Sequence, residues 1–529
     1  MKPYLLVLEN FQSLRERTEI PIGPLTFLYG PNSAGKSCID DAFSLIASVF
    51  SDSAASPHSM LNRWTRSEFT AVELKERQDL IMRIELHCQI GRIFDGTSDV
   101  GAFGQLVQGK KGLVEWFEKN DWNVVLGLEG DPDGLTELTF SSGSETVFRI
   151  HSSEDGNEIE ISLKAFGRTY KELAAKHFIE AARGQKSYKF DCEMVLQPTV
   201  LSIYKGEDLD RDILAIVNAM LVDLRNLYIS PTNLGADRST IKNSSLTRIC
   251  GGEQIQGYWQ SYGLPRKYFR APVFEMNSNS DSNFEFMGKL AESSFQAAYF
   301  EVNPQSNIEK TEVQNAIEAV VKWNMDIRNE NDEMLHAFVN RCLREHLFLD
   351  QGYQLIFEAL EIKPATDIDV PPLAVALMIG SLVDKTGRRM TFEDVGTGIS
   401  CVIPVLVSVH SGSGFIQQPE LHLHPALQSA LGDVFVEAIN GRSGCHFIET
   451  HSEYILLRCL RRVRETAAGK HPAGSPLSLR PEDLSVLYFE PQPEGFTKVK
   501  KIRVSTQGDF VDRWPRGFFE ERGKELFDE

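Results

Sequence analysis

Apolar residues and turn signals in the first 50 residues follow the order strand, glycine-rich loop, helix. Leu5 to Leu8 and Leu25 to Tyr29 are short apolar runs separated by the chain-breaking segment 20–24, which predicts two strands. Apolar residues then recur at helical spacing from Ile39 to Phe50. A strand that leads through glycine into a helix is the setting in which a phosphate-binding loop forms.

In the rest of the chain, helix and strand patterns are weak between about residues 95 and 365 and clearer after about residue 379. Between about residues 95 and 365, an acidic, glycine-rich segment at 129–134 predicts a hairpin turn. Apolar stripes in that region predict helices that pack in a core, and the last two stripes would form a helical hairpin around 329–332. The stripes cover residues 213–224, 313–321 and 334–343. After about residue 379 the patterns predict a helix running from the glycines at 396–398 to Leu406, and strands at 415–416, 445–450, 486–489 and 498–504.

Composition limits the class of protein. The 529 residues are 42% hydrophobic and 24% charged, which is typical of globular proteins and excludes disordered or fibrous chains. The length exceeds what one core usually supports, so we expect at least two lobes. No apolar run approaches the roughly 20 residues of a membrane helix, there is no signal-peptide layout, and eight cysteines are scattered without pairing. We therefore expect a cytoplasmic protein without a membrane partner.

Net charge weakens the case for a nucleic-acid-binding protein. The chain has 74 acidic and 55 basic residues, a balance of −19, so a fold-wide basic footprint is excluded. Two local basic clusters lie at 458–464 and 498–503. We interpret them as a solvated helix face and a charged edge strand, and binding to DNA stays open.

Residues 30–37, GPNSAGKS, match the P-loop pattern of glycine, four residues, and Gly-Lys-Ser. Backbone N–H groups of such a loop and the following helix N-terminus form a cradle for anions. Lys36 would contact the β- and γ-phosphates, and the Ser37 hydroxyl would bind Mg²⁺. The predicted nucleotide-binding residues here are Gly30, Asn32, Ser33, Ala34, Gly35, Lys36, Ser37 and Cys38.

Five further segments, taken with the P-loop, resemble a known family: LENF, DVGTGIS, QPELHLHP, ETHS and WPRGFF, at 8–11, 394–400, 418–425, 449–452 and 514–519. They resemble the ABC-type ATPase heads of the RecF, SMC and OLD-like class, more closely the bacterial AAA-type ATPases with a C-terminal DUF3696 segment. The resemblance implies an α/β fold, an ABC-ATPase head with the mixed sheet of P-loop NTPases, split by a large α+β insertion and followed by a small C-terminal extension. The implied domains are an N-terminal lobe with Walker A (1–95), an insertion (96–365), a C-terminal lobe (366–480) and the DUF3696-like segment (481–529).

The resemblance also implies how the site works. ATP and Mg²⁺ would bind at Walker A of one protomer and be closed over by the signature segment of another, so the protein would be at least a homodimer. Gly396, Gly398 and Ser400 would supply the signature contacts, and free N–H groups before an apolar helix favour a phosphate there independently. His451 would sense the γ-phosphate. The family further implies a bacterial defence system against phage or mobile elements, acting with a separate effector such as a nuclease.

Several positions depart from the family pattern. Gln417 stands where an acidic residue usually ends the Walker B strand near Mg²⁺, Gln418 stands where typical ABC heads carry the catalytic glutamate, and Cys401 replaces a glutamine. A carboxamide is neither a general base nor an anionic metal ligand. Either Glu420 or another acid compensates, or hydrolysis is slow. Whether Gln417 is natural or a deliberate Glu→Gln substitution stays open.

Two functional alternatives therefore accompany the ATPase prediction. One is a nucleotide-bound scaffold that does not hydrolyse ATP. The other is a hydrolytic metal site formed by His422, His424 and His451 with Glu420, against which we favour a structural role for the first two histidines. The predicted catalytic residues are Gln417, Gln418 and His451, the predicted metal-binding residues are Ser37 and Gln417, and the Q-loop glutamine is either Gln78 or Gln89.

Overall fold

The computed structural model describes both ends of the chain and selected segments between them. The described residues are 2–49, 81–90, 122–131, 134–142, 145–153, 156–161, 186–190, 234, 247–251, 272–274, 335–362, 375–390, 392, 394–410, 414–441 and 444–515. Contacts divide the chain into two compact units. Unit 1 comprises 1–233, 443–449 and 480–529, and unit 2 comprises 234–442 and 450–479.

Strands dominate unit 1. Its strands are β1 (Lys2–Glu9), β2 (Thr18–Pro21), β3 (Leu25–Tyr29), β4 (Met82–Ile90), β5 (Trp122–Asp131), β6 (Gly134–Ser142), β7 (Glu145–Ser153), β8 (Gly156–Ile161), β9 (Lys186–Phe190), β16 (His446–Glu449), β17 (Leu484–Pro491) and β18 (Thr497–Lys501). Its described helices are α1 (Cys38–Val49) and a short 3₁₀ turn (Pro481–Asp483).

An eight-stranded sheet of unit 1 has the order β2-β1-β4-β5-β6-β7-β8-β9. Its neighbouring strands are antiparallel. In β4 the buried residues Met82, Ile84, Leu86 and Cys88 alternate with partly exposed polar ones, as expected for a sheet with one face on the core. The antiparallel pair β5 and β6 confirms the hairpin predicted at 129–134, although 132 and 133 lie outside the described residues.

A second sheet of unit 1 carries the predicted phosphate loop. Within this unit its strands have the order β16-β3-β17-β18. The strand β3 is buried along its whole length and is parallel to both neighbours, while β17 and β18 are antiparallel. Parallel strands covered on both faces are mostly apolar without alternation, which explains the segment at 25–29, where Thr26 is the one polar residue.

Unit 2 contains more helix. Its strands are β10 (Thr247–Gly251), β11 (Pro272–Phe274), β12 (Gln354–Ile362), β13 (Val375–Val383), β14 (Arg389–Met390) and β15 (Gly414–Gln417). Its helices are α2 (Leu335–Arg341), α3 (Thr397–His410), α4 (Pro425–Gly441) and α5 (Glu453–Ala467), and a π-helical turn (Cys342–Leu347) follows α2. Residues 399–409 of α3 are all buried, so this helix lies in the core of the unit.

The two basic clusters are held in ion pairs. On α5, Arg458 and Arg462 both contact Asp433 of α4. On and after β18, Lys500 contacts Glu490 at 2.6 Å and Arg503 contacts Asp512 at 2.6 Å. Much of the positive charge in each cluster is therefore neutralised within its own unit.

The structure confirms the predicted α/β class, with a mixed sheet whose strands come from both ends of the chain. The helices predicted from 39 and through 406 correspond to α1 and α3, and the stripe at 334–343 corresponds to α2 and its π-helical continuation to Leu347. The predicted helices at 213–224 and 313–321, the turn at 329–332, Gln78 and residues 516–519 lie outside the described residues. The boundaries of the four implied domains stay a prediction. None of the described helices is long and apolar enough to cross a membrane.

Candidate functional site

The loop between β3 and α1 depends on two glycines. Gly30 has φ +142° and Gly35 has φ +81°, values that side chains with a Cβ rarely adopt. A Cβ on Gly30 would lie 2.5 Å from the carbonyl oxygen of Phe489, and a Cβ on Gly35 would lie 2.0 Å from Oγ of Ser13. Both glycines of the motif are therefore required by the backbone and by its neighbours.

The side chain of Lys36 is folded into this loop. Its Nζ donates to the carbonyl oxygens of Gly30 at 3.0 Å and of Pro31 at 2.8 Å, and it lies 3.4 Å from Oε1 of Glu449. Only 3% of the side chain is exposed. Burial lowers the pKa of Lys36, and the negative charge of Glu449 opposes this effect. The loop thus encloses a cation whose partners all belong to unit 1.

The polar residues of the loop and the first residue of α1 differ in their exposure to solvent. Asn32, Ser33 and Ser37 are exposed, so their polar groups can reach a ligand in solution. In contrast, the Cys38 thiol is buried, which raises its pKa, and its backbone N–H donates to the Gly35 carbonyl oxygen at 3.1 Å. The chemistry available at the surface is therefore that of hydroxyl, amide and backbone groups.

Thr497 and Trp514, which lie late in the sequence, contact the loop and the strand that precedes it. Thr497, the first residue of β18, donates its hydroxyl to the Ala34 carbonyl oxygen at 3.0 Å and its N–H to the Ser13 carbonyl oxygen at 2.9 Å. The ring of Trp514, from the predicted terminal motif, packs edge-on against Tyr29 with a centroid distance of 5.4 Å. These contacts fix the strand that enters the loop and the turn that leaves it.

In unit 2, the predicted Walker B residues lie at the end of β15 and directly after it. Gln417 ends β15, and Gln418 follows it with a positive φ of 44°. Glu420 accepts a hydrogen bond from the Thr450 hydroxyl at 2.7 Å and one from the His451 backbone N–H at 2.8 Å. Because these bonds engage both of its oxygens, Glu420 fastens its own turn to the segment that precedes α5.

The segment ETHS (449–452), which contains the predicted γ-phosphate sensor His451, is ordered by the same network. Ser452 caps α5 by accepting from the Ile455 N–H, and it donates to Oε1 of Gln428 at 2.6 Å. Its own N–H donates to the Thr450 hydroxyl at 2.9 Å. His451 is exposed between these residues. A hydrogen-bonded backbone segment therefore presents an exposed imidazole.

The predicted signature segment precedes α3. Gly396 is exposed, whereas a Cβ on Gly398 would lie 2.9 Å from the carbonyl oxygen of His422. Ser400 is fully buried, and its hydroxyl has no hydrogen-bond partner in the described part of the chain. Cys401 is also buried. Of the predicted signature residues, Gly396 is thus the one placed at the surface.

The alternating histidines have local roles in the backbone. His424 Nδ1 accepts from the Ala426 N–H at 3.3 Å at the start of α4, and His422 adopts a positive φ of 60° in the preceding turn. Among the described residues, no group of three or more His, Cys, Asp or Glu side chains is placed to hold a metal ion.

Comparisons with known proteins give structural neighbours only. No family model matches the chain, and no curated protein matches it. An SmcHead bound to the C-winged helix domain of ScpA is 9% identical, with a TM-score of 0.39 over 95% of this chain and 98% of that one. An Smc head domain bound to the C-terminal domain of ScpA, derived from Pyrococcus furiosus, is 11% identical, with a TM-score of 0.39 over 99% and 98%. The SMC head domain from Thermotoga maritima is 10% identical, with a TM-score of 0.33 over 95% and 100%.

One residue near the loop was missed by the motif analysis. The structure brings residues 30–37 together with Glu449, which the sequence presented only as the first letter of ETHS. The available signal was its position: an acidic side chain at the end of a short apolar strand, where ligand-binding groups collect in α/β sheets. Gln89, one of two candidates for the Q-loop, lies in β4, within the antiparallel sheet.

Proposed function

We propose that the chain binds Mg²⁺-ATP through residues 30–37 and is an ATPase subunit of the ABC type. The observation that carries the proposal is the buried ammonium group of Lys36 inside a loop whose glycines leave no room for side chains. A fixed cation beside backbone amides and a helix N-terminus is an arrangement that binds triphosphate oxygens.

The described residues fit both ligands. Gly30 and Gly35 keep the loop backbone open to a phosphate, and Lys36 can exchange its bonds to loop carbonyls for bonds to the anion. The exposed Ser37 hydroxyl would hold Mg²⁺. When bound, Mg²⁺ neutralises phosphate charge and polarises the phosphoryl group.

The finer parts of the function are supported by the sequence motifs. We propose that ATP joins the loop of one protomer to the signature segment of another, so that nucleotide drives dimerisation, with His451 as the γ-phosphate sensor. On the same basis we propose a cytoplasmic ATPase in a bacterial defence system that acts with a separate effector, such as a nuclease. The genes next to this one would identify the effector, and binding assays with DNA and with candidate triggers would test those partners.

A second candidate function is a scaffold that binds ATP without hydrolysing it. Two observations favour it: Gln417 and Gln418 lack negative charge, and the oxygens of Glu420 already accept from Thr450 and His451. Parallel measurements of ATP binding and of phosphate release would separate a scaffold from an ATPase.

Equilibrium binding of a fluorescent ATP analogue to the full chain, with Mg²⁺, tests the proposal. Lys36→Ala removes charged hydrogen bonds to phosphate, so we expect affinity to fall by at least about tenfold, since such bonds contribute about 1.5–3 kcal/mol. Lys498→Ala is the matched control, because this lysine also lies in unit 1 but has 47% of its side chain exposed. Equal affinity in both variants would contradict the proposed site.

A further inference from the structure

The carboxyl end of β16 places an acidic side chain next to the phosphate loop. In the parallel pairing of β16 with β3, Glu449 is opposite Leu28, and β3 ends one residue later at Tyr29, directly before Gly30. The first three residues of β16 are buried, and Glu449 is the first to emerge. In open α/β sheets, ligands bind outside the carboxyl ends of such strands.

Glu449 contacts the lysine that would bind the terminal phosphates of a nucleotide. Its Oε1 lies 3.4 Å from Nζ of Lys36, the group that a P-loop directs to the β- and γ-phosphates. The Glu449 side chain is 15% exposed, against 3% for Lys36, so the carboxylate lies on the solvent side of the pair. Glu449 is therefore partly open to solvent beside the lysine that would bind the γ-phosphate.

Among the described residues of the predicted Walker B segment 417–420, the one acid is Glu420. Gln417 and Gln418 are neutral and cannot accept a proton at neutral pH. Glu420 has both carboxylate oxygens in hydrogen bonds, one to Thr450 and one to His451. Glu449, in contrast, contacts Lys36 of the phosphate loop and is partly open to solvent.

We propose that Glu449 is the carboxylate that orients and deprotonates the attacking water during ATP hydrolysis. This inference rests on the proposed ATP-binding function. The water oxygen forms a bond to the γ-phosphorus, the bond to the bridging oxygen breaks with its electrons leaving on ADP, and the water proton passes to Glu449. The products are ADP and inorganic phosphate, and the proton returns to solvent.

The ion pair with Lys36 explains how this carboxylate is controlled. Without nucleotide, Lys36 neutralises Glu449. A triphosphate that draws Lys36 toward its own oxygens leaves the carboxylate without that partner, so that it can contact the attacking water. The acid is thereby activated by the substrate on which it acts.

The experiment uses the full chain and compares Glu449→Gln with Glu482→Gln. Both changes remove one negative charge from unit 1, but the Glu482 side chain is 63% exposed and pairs with Arg480 at 3.4 Å, away from the loop. ATP affinity is measured by fluorescence, and turnover is measured by phosphate release across a range of pH.

We expect Glu449→Gln to lower kcat by about 100-fold or more, as loss of a general base does, and to abolish the acidic limb of the pH profile. ATP affinity should be retained or increased, because Lys36 no longer has an acidic competitor for the phosphates. Glu482→Gln should match the unaltered protein in both assays. Glu449→Asp, which keeps the charge, should retain the acidic limb with a smaller loss of kcat, and it provides the same comparison if the glutamine variant does not fold.

The possible failures are distinguishable. If the unaltered protein does not bind ATP, both the proposed function and this inference are overturned. If it binds ATP without turnover, the ATP-binding site stands, but the ATPase activity and the role of Glu449 are both overturned. If turnover persists in Glu449→Gln with its acidic limb intact, only the role of Glu449 is overturned. Loss of turnover in Glu420→Gln with normal turnover in Glu449→Gln would assign the role to Glu420 instead.

Discussion

Gly35→Ala is the most direct test of how the phosphate loop is built. The new methyl group would have to exist at φ +81°, which costs a residue with a Cβ about 1–2 kcal/mol. It would also lie 2.0 Å from Oγ and 3.1 Å from Cβ of Ser13, and overpacking of this kind adds about 1–3 kcal/mol. We therefore expect unfolding free energy to fall by about 2–5 kcal/mol and ATP affinity to fall with it.

Gly495→Ala separates the two contributions. Gly495 lies in the turn between β17 and β18 of the same unit, has φ +79°, and has no atom within 4 Å of an added Cβ. Its substitution should cost the backbone contribution of about 1–2 kcal/mol alone. Urea unfolding of the two variants gives the steric part as a difference.

The double variant Ser13→Ala with Gly35→Ala identifies the clashing atom. The Ser13 hydroxyl has no hydrogen-bond partner within the described residues, so removing it alone should change stability little. In the Gly35→Ala background it should restore most of the steric loss. Equal losses for Gly35→Ala and Gly495→Ala, or no recovery in the double variant, would refute the close approach of Ser13.

Two further predictions concern buried polar groups: His446 in unit 1, and a comparison of Ser400 with Thr450 in unit 2. Burial lowers the pKa of His446 from 6.5 to about 4, so the unfolded chain binds its proton first, and stability should fall by about 3 kcal/mol as pH drops from about 6.5 to 4. Urea unfolding over this range should show a shallower pH dependence in His446→Leu, and an unchanged slope would contradict the prediction. Ser400→Ala removes a buried hydroxyl that lacks a partner in the described segments, so stability should hold or rise by about 1 kcal/mol. Thr450→Ala, whose hydroxyl bonds Glu420 and the Ser452 N–H, should lose about 1–3 kcal/mol in the same assay, and the opposite ranking would refute the hydrogen-bond assignment.

Local sequence patterns predicted the elements around the loop because their causes are local. The apolar run at 25–29 matches β3 residue for residue, since a strand buried on both faces needs no alternation. The two motif glycines occur where φ is positive, as the pattern requires. The helix after the loop begins at Cys38, one residue before the apolar spacing became visible.

Such local patterns could not predict contacts between distant parts of the chain. β1 extends over Lys2–Glu9, further than its apolar run, because it pairs with both β2 and β4. Thr497 supports the loop from a strand near the other end of the chain, and nothing in its own neighbourhood marks it. The pairing of β16 with β3, which brings Glu449 to Lys36, likewise depends on sheet order.

The position of Glu449 changes what the glutamines of the QQPE segment imply. Motif reasoning places the acidic function at the end of the Walker B strand, and its loss there predicts slow hydrolysis. The proposed role of Glu449 instead places a carboxylate near the γ-phosphate at the end of β16, the parallel strand beside β3, where Glu449 contacts Lys36. On this proposal the two acids have separate roles, because the oxygens of Glu420 accept hydrogen bonds from Thr450 and His451. An intact phosphate loop with glutamines at 417 and 418 is thus compatible with turnover, and the fate of turnover in Glu449→Gln decides the question.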